Sequence, residues 1–387
     1  MLMPSALIAV SCGLSPASRP TQPAVSKTTV LTSPFPDELH WTLELNNPLV
    51  ASGFVAYGGS VGYYPIAGDR IVAIDLVSGA LQWTVPALPR STPAFADGRL
   101  FIEVAGGLAA LESKDGSVAW RIPMSDALAV PLASDHGLVV AATAGAVLVF
   151  RAKDGSLLWR HDLASPPHGM PALGEAGIFV PVTDGRVIAF QADTGEILWE
   201  HWLGAAANDI VMLKDRLFVG SNDHFLYCLN AGNGDKVWRT RTGADVVSRP
   251  TVDERRVYFV SLDNVVRALN QRNGVQQWKR SLPFRPAWPP INVFDAIVVA
   301  GLMGPLKAYY LKDGTPAGEM NTGADLLAAR LHAFESPAVV GPMLVVVTHN
   351  VAGDAKITAV SRAFEPSIAT ALPALPGAQT LTPATTP

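Results

Sequence analysis

Short apolar runs separated by turn residues fill most of the chain, and residues 93–104 show the unit. Ala94-Phe95-Ala96 follows Pro93, Asp97-Gly98 interrupts, and Leu100-Phe101-Ile102 returns between the polar Arg99 and Glu103. Asp-Gly between two apolar runs is the strongest short-range hairpin signal, so two antiparallel strands are predicted there. Gly106-Gly107 opens a third strand over 108–111, and Asp115-Gly116 opens a fourth over 117–120. The unit therefore reads as four antiparallel strands.

This unit recurs. A small-apolar-polar triad, then a turn glycine, then a tryptophan, appears at Ala73/Gly79/Trp83, Ala110/Gly116/Trp120, Val149/Gly155/Trp159, Ala189/Gly195/Trp199, Cys228/Gly234/Trp238 and Ala268/Gly274/Trp278. A seventh copy, Ala308 with Gly314, places Gly318 where the tryptophan should stand, and an eighth triad begins at Ala359 without turn or tryptophan. Trp41, in Leu39-His40-Trp41-Thr42, matches Leu81-Gln82-Trp83-Thr84 but has no triad before it. Successive tryptophans from Trp41 are 42, 37, 39, 40, 39 and 40 residues apart. A period of about 40 residues built from short strands is the signature of a propeller blade.

Eight triads predict an all-β, eight-bladed β-propeller of four-stranded antiparallel blades. Trp41 supplies the outermost strand of the eighth blade, whose other strands come from roughly 337–362, so an N-terminal strand closes the ring. Closure removes the open edge on which another chain could pair. The turn glycines fit positions of positive φ, and the tryptophans have the bulk to dock adjacent blades, with the small triad residue leaving room.

Composition narrows the function classes. Lys+Arg 29 against Asp+Glu 33 gives a net charge of −4, without the basic excess that nucleic-acid binding requires, so no nucleic-acid partner is expected. No apolar run approaches the roughly 18 residues of a spanning helix, so no transmembrane segment is expected. With only Cys12 and Cys228, a disulfide framework and a cysteine-rich zinc site are both excluded. The chain divides into a signal-like segment (1–12), a Pro/Ser/Thr-rich linker (13–38), the propeller (39–365) and a Pro/Ala/Thr-rich tail (366–387).

At these triads and tryptophans the chain resembles the PQQ-like (quinoprotein) β-propeller family, whose blades carry Ala-x-Asp-x-x-Thr-Gly-x-x-x-Trp. Residues 73–83 and 189–199 are the nearest copies, and the resemblance spans about 39–362. Within that family the chain is most similar to the envelope lipoproteins that act as scaffolds in outer-membrane protein assembly. This implies a non-enzymatic protein on the periplasmic side of the cell envelope, a monomer within a complex, binding an envelope protein partner through its loops. Ser11-Cys12 after the apolar stretch 6–10 resembles a shortened lipobox, which makes Cys12 the expected lipidation site. Ala9 stands where Leu is usual there, and no Lys or Arg precedes it.

Two alternative functions come with the fold. Quinoprotein dehydrogenases of this family hold pyrroloquinoline quinone and calcium at the propeller axis, with carboxylate and Asn ligands, a Trp floor and often adjacent cysteines. The uniform 37 to 42 residue repeat leaves no insertion for such a pocket. No catalytic residue, cofactor or metal site is therefore expected. His168 and His224 lack metal-ligand spacing, and Cys228, at the small triad position, reads as a packed core residue. A ligand-sensing propeller is the other alternative. The segments just before each first strand should approach the axis at one face, and they carry Arg90, His168, Asp209, Asp245, Arg249, Trp288 and Glu335. That mixed set could bind a small polar ligand or a peptide end, or simply line a solvated channel mouth.

Overall fold

A computed structural model describes residues 38–49, 54–301, 305–320, 337–341, 343–349 and 354–361 of the chain. Cys12, Glu335, the N-terminal segments up to residue 37 and the C-terminal tail lie outside the described residues. The described chain folds into eight sheets, each of four antiparallel strands. Seven sheets are contiguous in sequence, and we number them as blades 1 to 7: 56–86, 94–123, 133–162, 172–202, 207–241, 251–281 and 291–320. Blade 8 takes three strands from 338–361 and its fourth from Glu38–Pro48. The fourth strand begins at Glu38, inside the segment read as linker, because Glu38 already pairs with Ser361. Strands within a blade are called a to d, innermost to outermost.

The repeated residues form one row across each blade. In blade 1, Tyr63, Ala73 and Trp83 are direct neighbours on strands b, c and d; in blade 5 the row is Phe218, Cys228 and Trp238. Blade 8 completes its row across the chain ends, with Val345, Ala359 and Trp41. The small middle residue lets the two large flanking groups approach: ring centroids lie 5.7 Å apart for Tyr63–Trp83 and 5.9 Å for Phe218–Trp238. Blade 3 has Val140 on strand b where blades 1 and 5 have an aromatic, and Val149 in the middle of the row, and there Trp159 packs on Phe190 of blade 4 at 5.6 Å.

Each of the seven tryptophans of the repeated row also reaches the next blade. Its indole N–H donates to a backbone carbonyl there: Trp41 to Leu76, Trp83 to Ser113, Trp120 to Ala152, Trp159 to Ala192, Trp199 to Ala231, Trp238 to Gln271 and Trp278 to Leu311, over 2.7 to 3.2 Å. The ring lies on the turn glycine of that blade. A Cβ on Gly234 would stand 2.5 Å from the Trp199 ring, at a φ of +75°, so both backbone sterics and packing select glycine. The joint from blade 7 to blade 8 differs: Gly318 faces Ala308, and the contact is made by Val298, Ala317, Leu344, Val346 and Val360.

Antiparallel order puts the blade-to-blade connections and the b–c turns at one face, and the a–b and c–d turns at the other. Backbone bonds from the six connections between blades 1 and 7 to a b–c turn, such as Ala87 N–H to Asp69 O and Leu282 N–H to Asn264 O, hold the first face together.

Candidate functional site

That face carries the described mouth residues, and its connections are tied down by carboxylates of the b–c turns. Asp184 Oδ2 accepts from Ser165 Oγ at 2.8 Å, Asp223 Oδ2 from Gly204 N–H at 3.1 Å and Asp263 Oδ2 from Gly243 N–H at 3.0 Å. Each of these turns has a side-chain partner as well. Arg186 pairs with Asp184 at 2.8 Å and with Glu200 at 3.2 Å, and the largely buried Arg267 clamps Asp263 at 2.5 Å. Burial alone would raise the Asp263 carboxyl, but bonds from Arg267 and Ser261 outweigh it and hold its pKa down at about 2.

Three of the mouth residues share one cavity. Asp209 on strand a of blade 5, Arg249 before blade 6 and Trp288 before blade 7 line a space of 250 Å3 together with Ser248 and Leu262. His168, before blade 4, stands beside Asp209, its Nδ1 3.3 Å from Ala207 O. Gly169 allows this approach, since a Cβ there would fall 2.4 Å from the Asn208 backbone. Asn208 extends the stitching, donating to Asn222 Oδ1 and to Val246 O, each at 2.9 Å.

The electrostatics of the cavity are unfinished. Asp209 Oδ1 accepts the Met170 N–H at 2.8 Å. Burial still raises the Asp209 pKa, against that bond and the charges of Arg249 and His168. Burial likewise lowers the Arg249 pKa, with the Asp209 charge opposing it. Yet no hydrogen bond or ion pair joins the two among the described residues. Ser248 Oγ and Trp288 Nε1 are buried beside them without a partner.

The remaining mouth residues go elsewhere. Asp245 lies 2.9 Å from His224 Nδ1, and the exposed Arg90 borders a separate 330 Å3 cavity with Asp69 and Arg121. Cys228 is a free, fully buried thiol whose pKa burial pushes up to about 12, which keeps it protonated and inert. Among the described residues no group of three His, Cys, Asp or Glu converges where a metal could sit, and no helix is long and apolar enough to cross a membrane. The cavity at this face offers a single carboxylate, Asp209, beside the cationic Arg249, a lining that does not fit a calcium ion with its quinone.

One surface residue escaped the sequence reading. Trp202 ends strand d of blade 4 with 63% of its surface exposed, Arg186 lying over its ring at 5.4 Å. Ile197 and Leu198 of the same strand are exposed too. Its signal was its displacement: it stands three residues after the docking Trp199, off the period of the other tryptophans.

Eight four-stranded blades joined by indole-on-glycine contacts define a β-propeller built of PQQ-type repeats. The chain belongs to the family of the outer membrane protein assembly factor BamB, whose model matches residues 29–176, 106–210 and 183–363. It is 29% identical to outer membrane protein assembly factor BamB of Yersinia pestis over 103 residues, 25% of this chain. The match spans 26% of the Yersinia protein's length. Among solved structures it resembles BamB from Moraxella catarrhalis, with a TM-score of 0.66 and 17% identity, covering 83% of this chain and 98% of that one. It also resembles the computationally designed Ika8 protein, with a TM-score of 0.69 and 15% identity, covering 83% and 99%. A designed protein scoring as well as a natural one shows that these structural likenesses speak for the fold alone.

Proposed function

We propose that the protein is a non-enzymatic scaffold of outer-membrane protein assembly, held on the periplasmic side of the envelope by a lipid on Cys12 and docking a protein partner through the connection face. The observation that carries this reading is the family match, which runs through all eight blades. The docking centre we assign is Trp202, at the connection end of its strand. Large exposed aromatics flanked by Arg are the residue types that dominate binding energy at protein interfaces. Arg186, fixed by Asp184 and Glu200, holds the indole outward in one orientation, which lowers the ordering cost of association. Capture of partners from detergent-solubilised envelopes, with the native chain and with Trp202→Ala, tests the reading. A β-barrel assembly component captured by the first and lost from the second supports it. Capture of the same component by both removes Trp202 from the interface, and absence of any envelope assembly component removes the scaffold role.

A further inference from the structure

We propose that the cavity bounded by Asp209, Arg249 and Trp288 binds a small dipolar ligand of the α-amino-acid class, its carboxylate on Arg249 and its ammonium group on Asp209. Several observations converge on it. The Arg249 guanidinium carries five donors in a fixed fork, and none has an acceptor among the described residues. Asp209 has one carboxylate oxygen engaged by the Met170 N–H and the other open to the cavity it lines. Ser248 Oγ, next in sequence to Arg249, and the Trp288 indole N–H add two buried donors without partners. Buried polar groups are nearly always satisfied, and each orphan costs about 1–3 kcal/mol. Ser248 Oγ and Trp288 Nε1 are two such orphans in one cavity, beside the part-exposed charges of Arg249 and Asp209, and together they point to a polar ligand.

The charges select what that partner is. A simple anion on Arg249 would sit in the field of Asp209, and a simple cation on Asp209 in the field of Arg249; in a partly desolvated site either repulsion is severe. A ligand carrying both charges a few atoms apart satisfies both groups at once and enters without net charge. At 250 Å3 the cavity is smaller than the roughly 300–1,000 Å3 of drug-sized sites, which suits one amino acid with a modest side chain against the Trp288 ring. Rigidity favours it further. Pro250, Pro286, Pro289 and Pro290 fix the two connections, and Asn208 ties blade 5 to the blade 6 connection through Val246 O. This site is independent of the Trp202 surface, so the partner-capture experiment and the one below can fail separately.

The test is titration calorimetry and thermal shift on the full chain with glycine, alanine and leucine, against acetate and methylammonium as singly charged probes. At least one free amino acid is expected to bind at about millimolar concentration or below and to raise the melting temperature, with neither probe doing so. Arg249→Met and Asp209→Asn should each weaken binding about tenfold or more, and Lys114→Ala on the opposite face should leave it unchanged. Saturation-transfer NMR on the unmodified protein gives a readout that does not depend on the variants folding. Acetate binding as tightly as the amino acids would overturn the dipolar assignment, and no transfer to any amino acid would overturn the site.

Discussion

Trp41 stands directly opposite Ala359 in the antiparallel pairing of blade 8, although 318 residues separate them in the chain, and its indole N–H donates to Leu76 O of blade 1. One side chain thus ties the last blade to the first and joins the two ends of the ring. Trp41→Ala is expected to lower the stability of the whole ring by about 3 kcal/mol, the lower end of the range for a buried Trp because Trp41 is only half-buried. Chemical denaturation followed by fluorescence, with hydrogen exchange at blades 1 and 8, measures it. A parent-like transition for the variant would mean that the closure contributes nothing.

The turn glycines separate backbone strain from packing. Gly106 has a φ of +79° with nothing within 4 Å of a built Cβ, whereas Gly234 has a φ of +75° with the Trp199 ring at 2.5 Å. Gly106→Ala should cost only the left-handed penalty of about 1–2 kcal/mol. Gly234→Ala should cost about 2 kcal/mol more, since the indole must move as well. Equal losses from the two would show that the indole seat is not tight.

The ring should open first between blades 7 and 8. Seven joints carry an indole clasp, whereas this one rests on aliphatic contacts around Gly318. Native-state hydrogen exchange is expected to show less protection in Leu306–Tyr310 and Met343–His349 than in the corresponding strands of blades 3 to 5. Uniform protection around the ring would contradict this.

Acid should act through Asp263. Its folded pKa of about 2 lies below the unfolded value of about 3.9, so the group's contribution to stability is complete above about pH 4 and is lost as pH falls toward 2. Arg267→Met should cost about 3 kcal/mol at neutral pH, because it strands a carboxylate among partly buried neighbours, and should flatten the acid limb of the stability profile. An unchanged acid limb would show that other carboxylates govern it.

Trp202→Ala is expected to leave the melting temperature within a degree or two, since the ring is mostly solvent-exposed, while lowering partner affinity by about 2 kcal/mol or more. Biolayer interferometry against the captured partner reads the affinity directly. A loss of stability without a loss of binding would make Trp202 structural.

The architecture was legible in the sequence because six blades repeat the same local pattern in full and two in part: a small residue in the middle of the row, a glycine at a left-handed turn, a tryptophan four residues on. Those preferences act within some ten residues, so eight copies printed the blade count, and the unmatched Trp41 with the triad at Ala359 printed the closure. The seat of each indole on the following blade's glycine, and the replacement of an aromatic in blade 3 by Phe190 from blade 4, depend on how neighbouring sheets face one another. A place beside each first strand assigns the mouth residues to a face but not to one another. Whether they meet depends on blade angle and on the partners each finds there. Asp209, Arg249 and Trp288, drawn from three blades, converge on one cavity, while Asp245 pairs with His224 instead, because distances between connections about 40 residues apart are set by ring packing and by no local preference of the chain.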